Sequence, residues 1–231
     1  MRARRTCKRY DSVAGPENHD IDGSAFVWNF FRNDHLPRRE TAMTKNRMEA
    51  FSDGVIAIII TIMVLQMYAP AGASLNSLLP VLPVFTSYVL SYIYVGIYWN
   101  NHHHMLHATN KVDGAVLWAN LHLLFWLTLI PFTTHWMGQN HLAPVPVALY
   151  GFVLFMASVA YYILAHALIG LHGPASPIGI AIGKDHKGIG STLVYGAAIP
   201  LSFVSVWVAL ALYVAVALMW LVPDKRFEKN F

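Results

Sequence analysis

Charge is sparse in this sequence: Asp, Glu, Lys and Arg make up 12% of its 231 residues, against about 25% in an ordinary soluble domain. None occurs between Asp53 and Lys111, between Asp113 and Lys184, or between Lys187 and Asp224. A charge at mid-membrane costs roughly 3 kcal/mol or more, and a spanning helix needs about 20 predominantly apolar residues. Three uncharged tracts of that length exclude a soluble core, whose helices would carry charges on an outer face. Cysteine is nearly absent, Cys7 alone, which excludes a disulfide frame and a four-thiolate metal site. The tracts also lack Gly-x-Ser-x-Gly, His-Glu-x-x-His and paired carboxylates. Nucleophile, acid and base are therefore not gathered for catalysis, and the reading is of a protein that is not an enzyme.

What is there is apolar length. The first tract divides into spans at Phe51–Tyr68 and Leu78–Trp99, parted by the loop-like Ala69-Pro70-Ala71-Gly72-Ala73-Ser74. The second divides into Val112–Trp136 and Val145–Leu168, with Gly138, Asn140 and Pro144 between them. The third, Ile189–Val222, is too long for one helix and short for two, so a tight hairpin near Ser205–Trp207 is expected. The expected fold is an all-α integral membrane protein of six transmembrane helices. With that threading, all 16 Lys and Arg fall in the N-terminal segment, the Asn101–Lys111 loop, the His172–Gly188 loop or the C-terminal tail. The positive-inside rule makes those segments, and both termini, cytoplasmic in a cell membrane.

The formal charge of +4 then reads as basic residues beside anionic lipid, not as a nucleic-acid surface. Residues 1–42 read as a flexible cytoplasmic extension, residues 43–223 as the membrane domain and residues 224–231 as a cytoplasmic tail. Met43 is a candidate alternative start, and the run Ala25–Phe31 is too short to span. Twelve histidines raise metal and haem. His102, His103, His104 and His107 have spacing that could hold zinc or nickel, and His122 and His166 could be axial ligands. Closed metal sites want four ligands and no Cys or Glu joins that loop, so no metal and no cofactor are expected.

The first span opens Arg47-Met48-Glu49-Ala50-Phe51-Ser52-Asp53. Asp53 lies inside the apolar boundary, where a carboxylate must be hydrogen-bonded, paired or wetted. The Arg-x-x-x-Phe-Ser-Asp spacing resembles the signature of the lysosomal potassium channel family, the transmembrane protein 175 type, in its bacterial branch. Trp99-Asn100-Asn101-His102 resembles that family's Trp-x-x-His element. Asn120-Leu121, Leu124 and Ile130-Pro131-Phe132-Thr133 resemble its third-helix pattern. The likeness covers about Lys45 to Pro223.

The resemblance implies a potassium-preferring cation channel whose first helix lines the pore of a symmetric homo-oligomer, four copies being the family expectation. Helix arithmetic is compatible with it. At 100° per residue Ile58, Ile62 and Leu65 fall within about 60° of one another, with Phe51 and Thr61 on the same broad face. Asp53 and Ser52 lie about 140° and 120° away. Ile58, Ile62 and Leu65 are thus the candidate constriction. Thr61 offers a hydroxyl either to an ion or to its own helix. Arg47, Phe51, Ser52, Asp53, Trp99, His102 and Asn120 are the candidate structural network at the ends of the first three helices. No Thr-Val-Gly-Tyr-Gly loop occurs, so a carbonyl-cage filter is excluded and a hydrophobic constriction is expected instead. A secondary ion transporter of the same architecture is the alternative; it would want charges near the midplane.

Overall fold

The computed structural model describes residues 45–183 and 185–221. The N-terminal extension, with Cys7, Ala25–Phe31 and Met43, and the tail after Leu221 lie outside the described residues. Within them every regular element is helical: α1 (Lys45–Leu65), a 3-10 helix (Leu75–Val81), α2 (Leu82–His107), α3 (Gly114–Thr128), α4 (Ile130–Gln139), α5 (Pro144–His172), α6 (Pro177–Ile182), α7 (His186–Val204) and α8 (Val206–Leu221). Four stretches are long and apolar enough to cross a membrane: Lys45–Leu65, Leu75–His107, Gly114–Gln139 and Pro144–His172. Val206–Leu221 is apolar but shorter.

The helix ends follow local chemistry. Asp113 caps α3 by accepting from the Val116 amide at 2.9 Å, and Asp185 caps α7 through the Gly188 amide at 2.9 Å. Two of the few carboxylates thus stand where helix N-termini need acceptors. Proline opens α2, α4 and α5 within the first two positions, where its missing N–H costs nothing.

Three boundaries differ from the sequence expectation. The span Val112–Trp136 is broken: α3 stops at Thr128 and α4 restarts at Ile130, because Pro131 cannot donate back along the helix. The second span runs on past Trp99 to His107, so the histidine run is helical and the connecting loop begins at Ala108. The loop after His172 contains the one-and-a-half-turn helix α6, capped by Ser176 on the Gly179 amide. The turn in the last tract falls on one residue, Ser205, extended at φ −155° and ψ 112° between α7 and α8.

Helix α5 is central, packing against α3, α4, α6, α7 and α8, whereas α1 packs on α2, α3 and α4. The core is built from small residues that let helices approach and from hydroxyls that answer one another. Ser91 and Thr134 share a 2.6 Å hydrogen bond, and Tyr94 donates to the Tyr213 carbonyl at 2.6 Å. With no water to take up stray donors, these pairings are what bury tyrosine at low cost. Gly138 is buried on α4, and a Cβ there would stand 2.6 Å from the Cα of Val84. A backbone cannot yield as a side chain does. Gly138→Ala is therefore expected to push α2 from α4 and destabilise the fold by about 1–3 kcal/mol, read as a lowered melting temperature of the purified protein.

Candidate functional site on the first helix

Helix α1 has two unlike faces. Met48, Ser52, Ile56, Ile59 and Met63 are buried against α2, α3 and α4. On the other face Phe51, Ile58, Ile62 and Leu65 are 50%, 58%, 41% and 75% exposed. Ile58, Ile62 and Leu65 are the aliphatic stripe of the sequence reading, with Phe51 on the same face, and no part of the described chain covers them. Beside the stripe runs an open groove of ≈ 340 Å³, walled by Val55, Ile58, Ile62 and Gln66 on one side and Thr128, Pro131 and Phe132 on the other. The break between α3 and α4 therefore forms one wall of that groove. Thr61 is exposed on the same helix, and its hydroxyl donates to the Ile58 carbonyl at 2.8 Å. Its lone pairs remain as acceptors.

Behind the stripe the polar residues meet. The Ser52 hydroxyl donates to the Met48 carbonyl at 2.8 Å, so its oxygen is free to accept from Asn120 Nδ2 at 2.9 Å. That fixes the amide: Asn120 Oδ1 is the acceptor facing His102 Nε2 at 2.7 Å. His102 must then carry its proton on Nε2, and its buried Nδ1 has no partner among the described residues. Ser52, His102 and Asn120 are all within 1% of full burial. One serine on α1 thus ties α3, and through it α2, into a single chain of donors.

A second link lies nearer the rim. Trp99 Nε1 donates to Asp53 Oδ1 at 3.0 Å. One turn away, His103 Nδ1 sits 3.3 Å from Glu49 Oε1, and the His103 ring stacks on Trp99 at 6.0 Å. Glu49 and His103 were not among the residues expected from sequence. The signal was available: Glu49 and Asp53 are four apart on one helix, Trp99 and His103 four apart on its antiparallel neighbour. Two matched i, i+4 pairs make a ladder with two rungs.

The structure brings together Ser52, Asp53, Trp99, His102 and Asn120. Arg47 is exposed and takes no part in the bonds that join the three helices, and Phe51 lies on the exposed face. Among the described residues no group of three His, Cys, Asp or Glu is placed to hold a metal ion. His122 accepts from Trp126 Nε1 at 3.0 Å, and His166 Nδ1 meets the Tyr162 carbonyl at 2.9 Å.

An all-helical bundle, apolar along several membrane-length helices and clamped by a buried Ser–Asn–His chain behind an exposed aliphatic stripe, defines a helical membrane protein. Residues 47–131 match the family described as endosomal/lysosomal potassium channel TMEM175. That stretch contains the stripe, the Ser–Asn–His chain and both rungs. A potassium channel of Chryseobacterium sp. (strain P1-3) is 53% identical over 188 residues, covering 81% of this chain and 98% of that relative. A potassium channel of Chamaesiphon minutus is 31% identical over 188 residues, covering 74% of this chain and 91% of that relative. The crystal structure of a lysosomal potassium-selective channel homologue from the same organism superposes with a TM-score of 0.68 at 28% identity, covering 77% of this chain and 96% of that one. The chain belongs to the TMEM175 family.

Proposed function

We propose that this chain is a potassium-preferring cation channel, conducting by electrodiffusion through a constriction of aliphatic side chains from α1. The observation that carries this is the stripe itself. Ile58, Ile62 and Leu65 are large, apolar and bare on a helix whose other face is fully packed. One helix cannot enclose a conduit, so closure requires further copies around a shared axis. A homo-oligomer, with four copies expected from the family resemblance, would set Ile58 in a ring and seat a neighbouring α1 in the groove beside Phe132.

Six spans are proposed: α1, the 3-10 helix with α2, α3 with α4, α5, α7 and α8. Lys45, Arg47, Lys111 and Lys187 then fall at one end of the bundle, which we assign to the cytoplasm together with both termini. Residues 43–223 form the channel domain. The buried Ser52–Asn120–His102 chain and the Asp53–Trp99 bond hold the cytoplasmic ends of three helices and so set how far the stripe leans inward.

Selection at such a ring needs no ligand. A hydrophobic constriction dewets when narrow and admits a partly dehydrated ion when slightly wider. Potassium gives up water more readily than sodium, so the dehydration cost is unequal and the preference modest. The test is flux from potassium-loaded liposomes on adding a proton ionophore. A channel gives passive flux that stops at the potassium equilibrium potential. Flux no greater than from empty liposomes, or flux that runs only when coupled to a second ion gradient, overturns the reading.

A further inference from the structure

A second cleft lies on another face of α2, away from the stripe, where α2, α5, α7 and α8 converge. It is lined by Tyr98 and Asn101 of α2, Tyr161 of α5, Asp185 at the start of α7 and Trp220 of α8, among others. Counting its open mouth, it holds ≈ 490 Å³, with ≈ 40 Å³ open to the centre of a water-sized sphere. That interior suits about three waters or one small polar head, since one water needs roughly 10–15 Å³ by that measure.

Its chemistry is aromatic with one negative charge. Tyr98 and Tyr161 meet edge-on at 6.3 Å. The serine and threonine oxygens of the wall are already engaged: Ser158 with Thr192, and Ser191 as acceptor from Trp220 Nε1 at 2.8 Å. Metal ions want several free oxygens, so this wall suits them poorly. Asp185 Oδ1 takes up the Gly188 amide at 2.9 Å, which leaves Oδ2 as its remaining acceptor. Trp220 itself supplies an indication of what such a surface attracts: the Lys187 ammonium lies 4.7 Å above its ring. An ammonium within about 6 Å of an indole face is held by the ring's quadrupole.

We propose that this cleft binds a primary ammonium group, its charge on Asp185 Oδ2 and its methylenes against Tyr98 and Tyr161, with Lys187 as the internal occupant of the Trp220 face that a bound amine displaces. The aromatic box, a single carboxylate and an interior too small for a trimethylated head select a primary amine. The source is either the ethanolamine head of a phospholipid or a free amine, and the two are separable.

Asp185→Asn removes the charge and keeps the helix cap, because asparagine caps as well as aspartate. Gly188→Ala acts on the same carboxylate directly, since a Cβ there would collide first with Asp185 Oδ2. The full chain in nanodiscs of mixed phosphatidylethanolamine and phosphatidylglycerol would be released and its retained lipids counted by native mass spectrometry. In parallel its melting temperature would be followed with ethanolamine hydrochloride against potassium chloride at equal ionic strength. Preferential retention of phosphatidylethanolamine, reduced about tenfold in both variants, supports the lipid head; tenfold is the size of one charge-assisted hydrogen bond. Stabilisation by ethanolamine that both variants lose supports a free amine. Lys187→Gln is expected to raise whichever signal is seen. Retention and melting that are the same in wild type and Asp185→Asn overturn the proposal, as does equal protection by potassium. Neither readout involves ion flux, so the fate of the channel reading does not decide it.

Discussion

Ile58→Asn is expected to widen or wet the constriction and bring the potassium-to-sodium permeability ratio down toward unity, with total cation flux rising. The side chain is 58% exposed on the face of α1 that no described residue covers. Replacing it therefore disturbs little of the packing within one copy. A preference of about tenfold corresponds to only ~1.4 kcal/mol between two ions. An amide in each copy can replace lost water for sodium as readily as for potassium, and a ring of them needs to supply only that difference to erase the preference. Ile58→Val keeps the surface apolar and should keep the ratio. The measurement is the reversal potential under bi-ionic conditions. An unchanged ratio in the asparagine variant would remove Ile58 from the constriction.

The second large effect is expected at Asn120→Leu. Among the described residues the amide is the group that accepts from His102 Nε2 at 2.7 Å while donating to Ser52 Oγ at 2.9 Å. Leucine fits the volume and answers neither. His102 then keeps a buried donor with no partner, and Ser52 retains only its bond to the Met48 carbonyl. An unsatisfied buried polar group costs about 1–3 kcal/mol, so a loss of about 2–4 kcal/mol is expected, seen as a large fall in melting temperature. Asn120→Asp separates geometry from mere volume: it still accepts from His102 but cannot donate to Ser52, and should fall between wild type and leucine. Equal stability of leucine and wild type would mean that the three helices hold together without the amide.

Most of the fold was legible because membranes simplify sequence. Gaps in charge marked the apolar tracts, and the positions of Ala69–Ser74, Pro144 and Ser205 marked where they turn. The break at Leu129 was harder to see, since residues on both sides stay apolar and apolarity alone does not register a change of helix axis. Pro131, within the first two positions of α4, was the sign. The histidine run was read as loop for the opposite reason: it is polar, but polarity says where the membrane ends, not where the helix does.

At the site, rotation about one helix axis separated Ile58 from Ser52, and the structure has the first exposed and the second buried. Partners across helices were less legible. Asp53 and Trp99 could be matched by chemistry, a carboxylate with an indole donor. Arg47 could be matched as easily, yet its long side chain lies on the exposed face. Glu49 and His103 were overlooked because each is ordinary alone; only their common spacing with Asp53 and Trp99 betrays the second rung.

The single extended residue between α7 and α8 bears on how the protein is made. Helix α7 has 19 residues and the described part of α8 has 16, or about 28 Å and 24 Å of rise, against an apolar slab of about 30 Å. With Ser205 as their entire linker, no hydrophilic stretch exists to be threaded across first and anchored afterwards. If α7 and α8 are the last two spans, as proposed, they are expected to insert together as a hairpin, packed on α5.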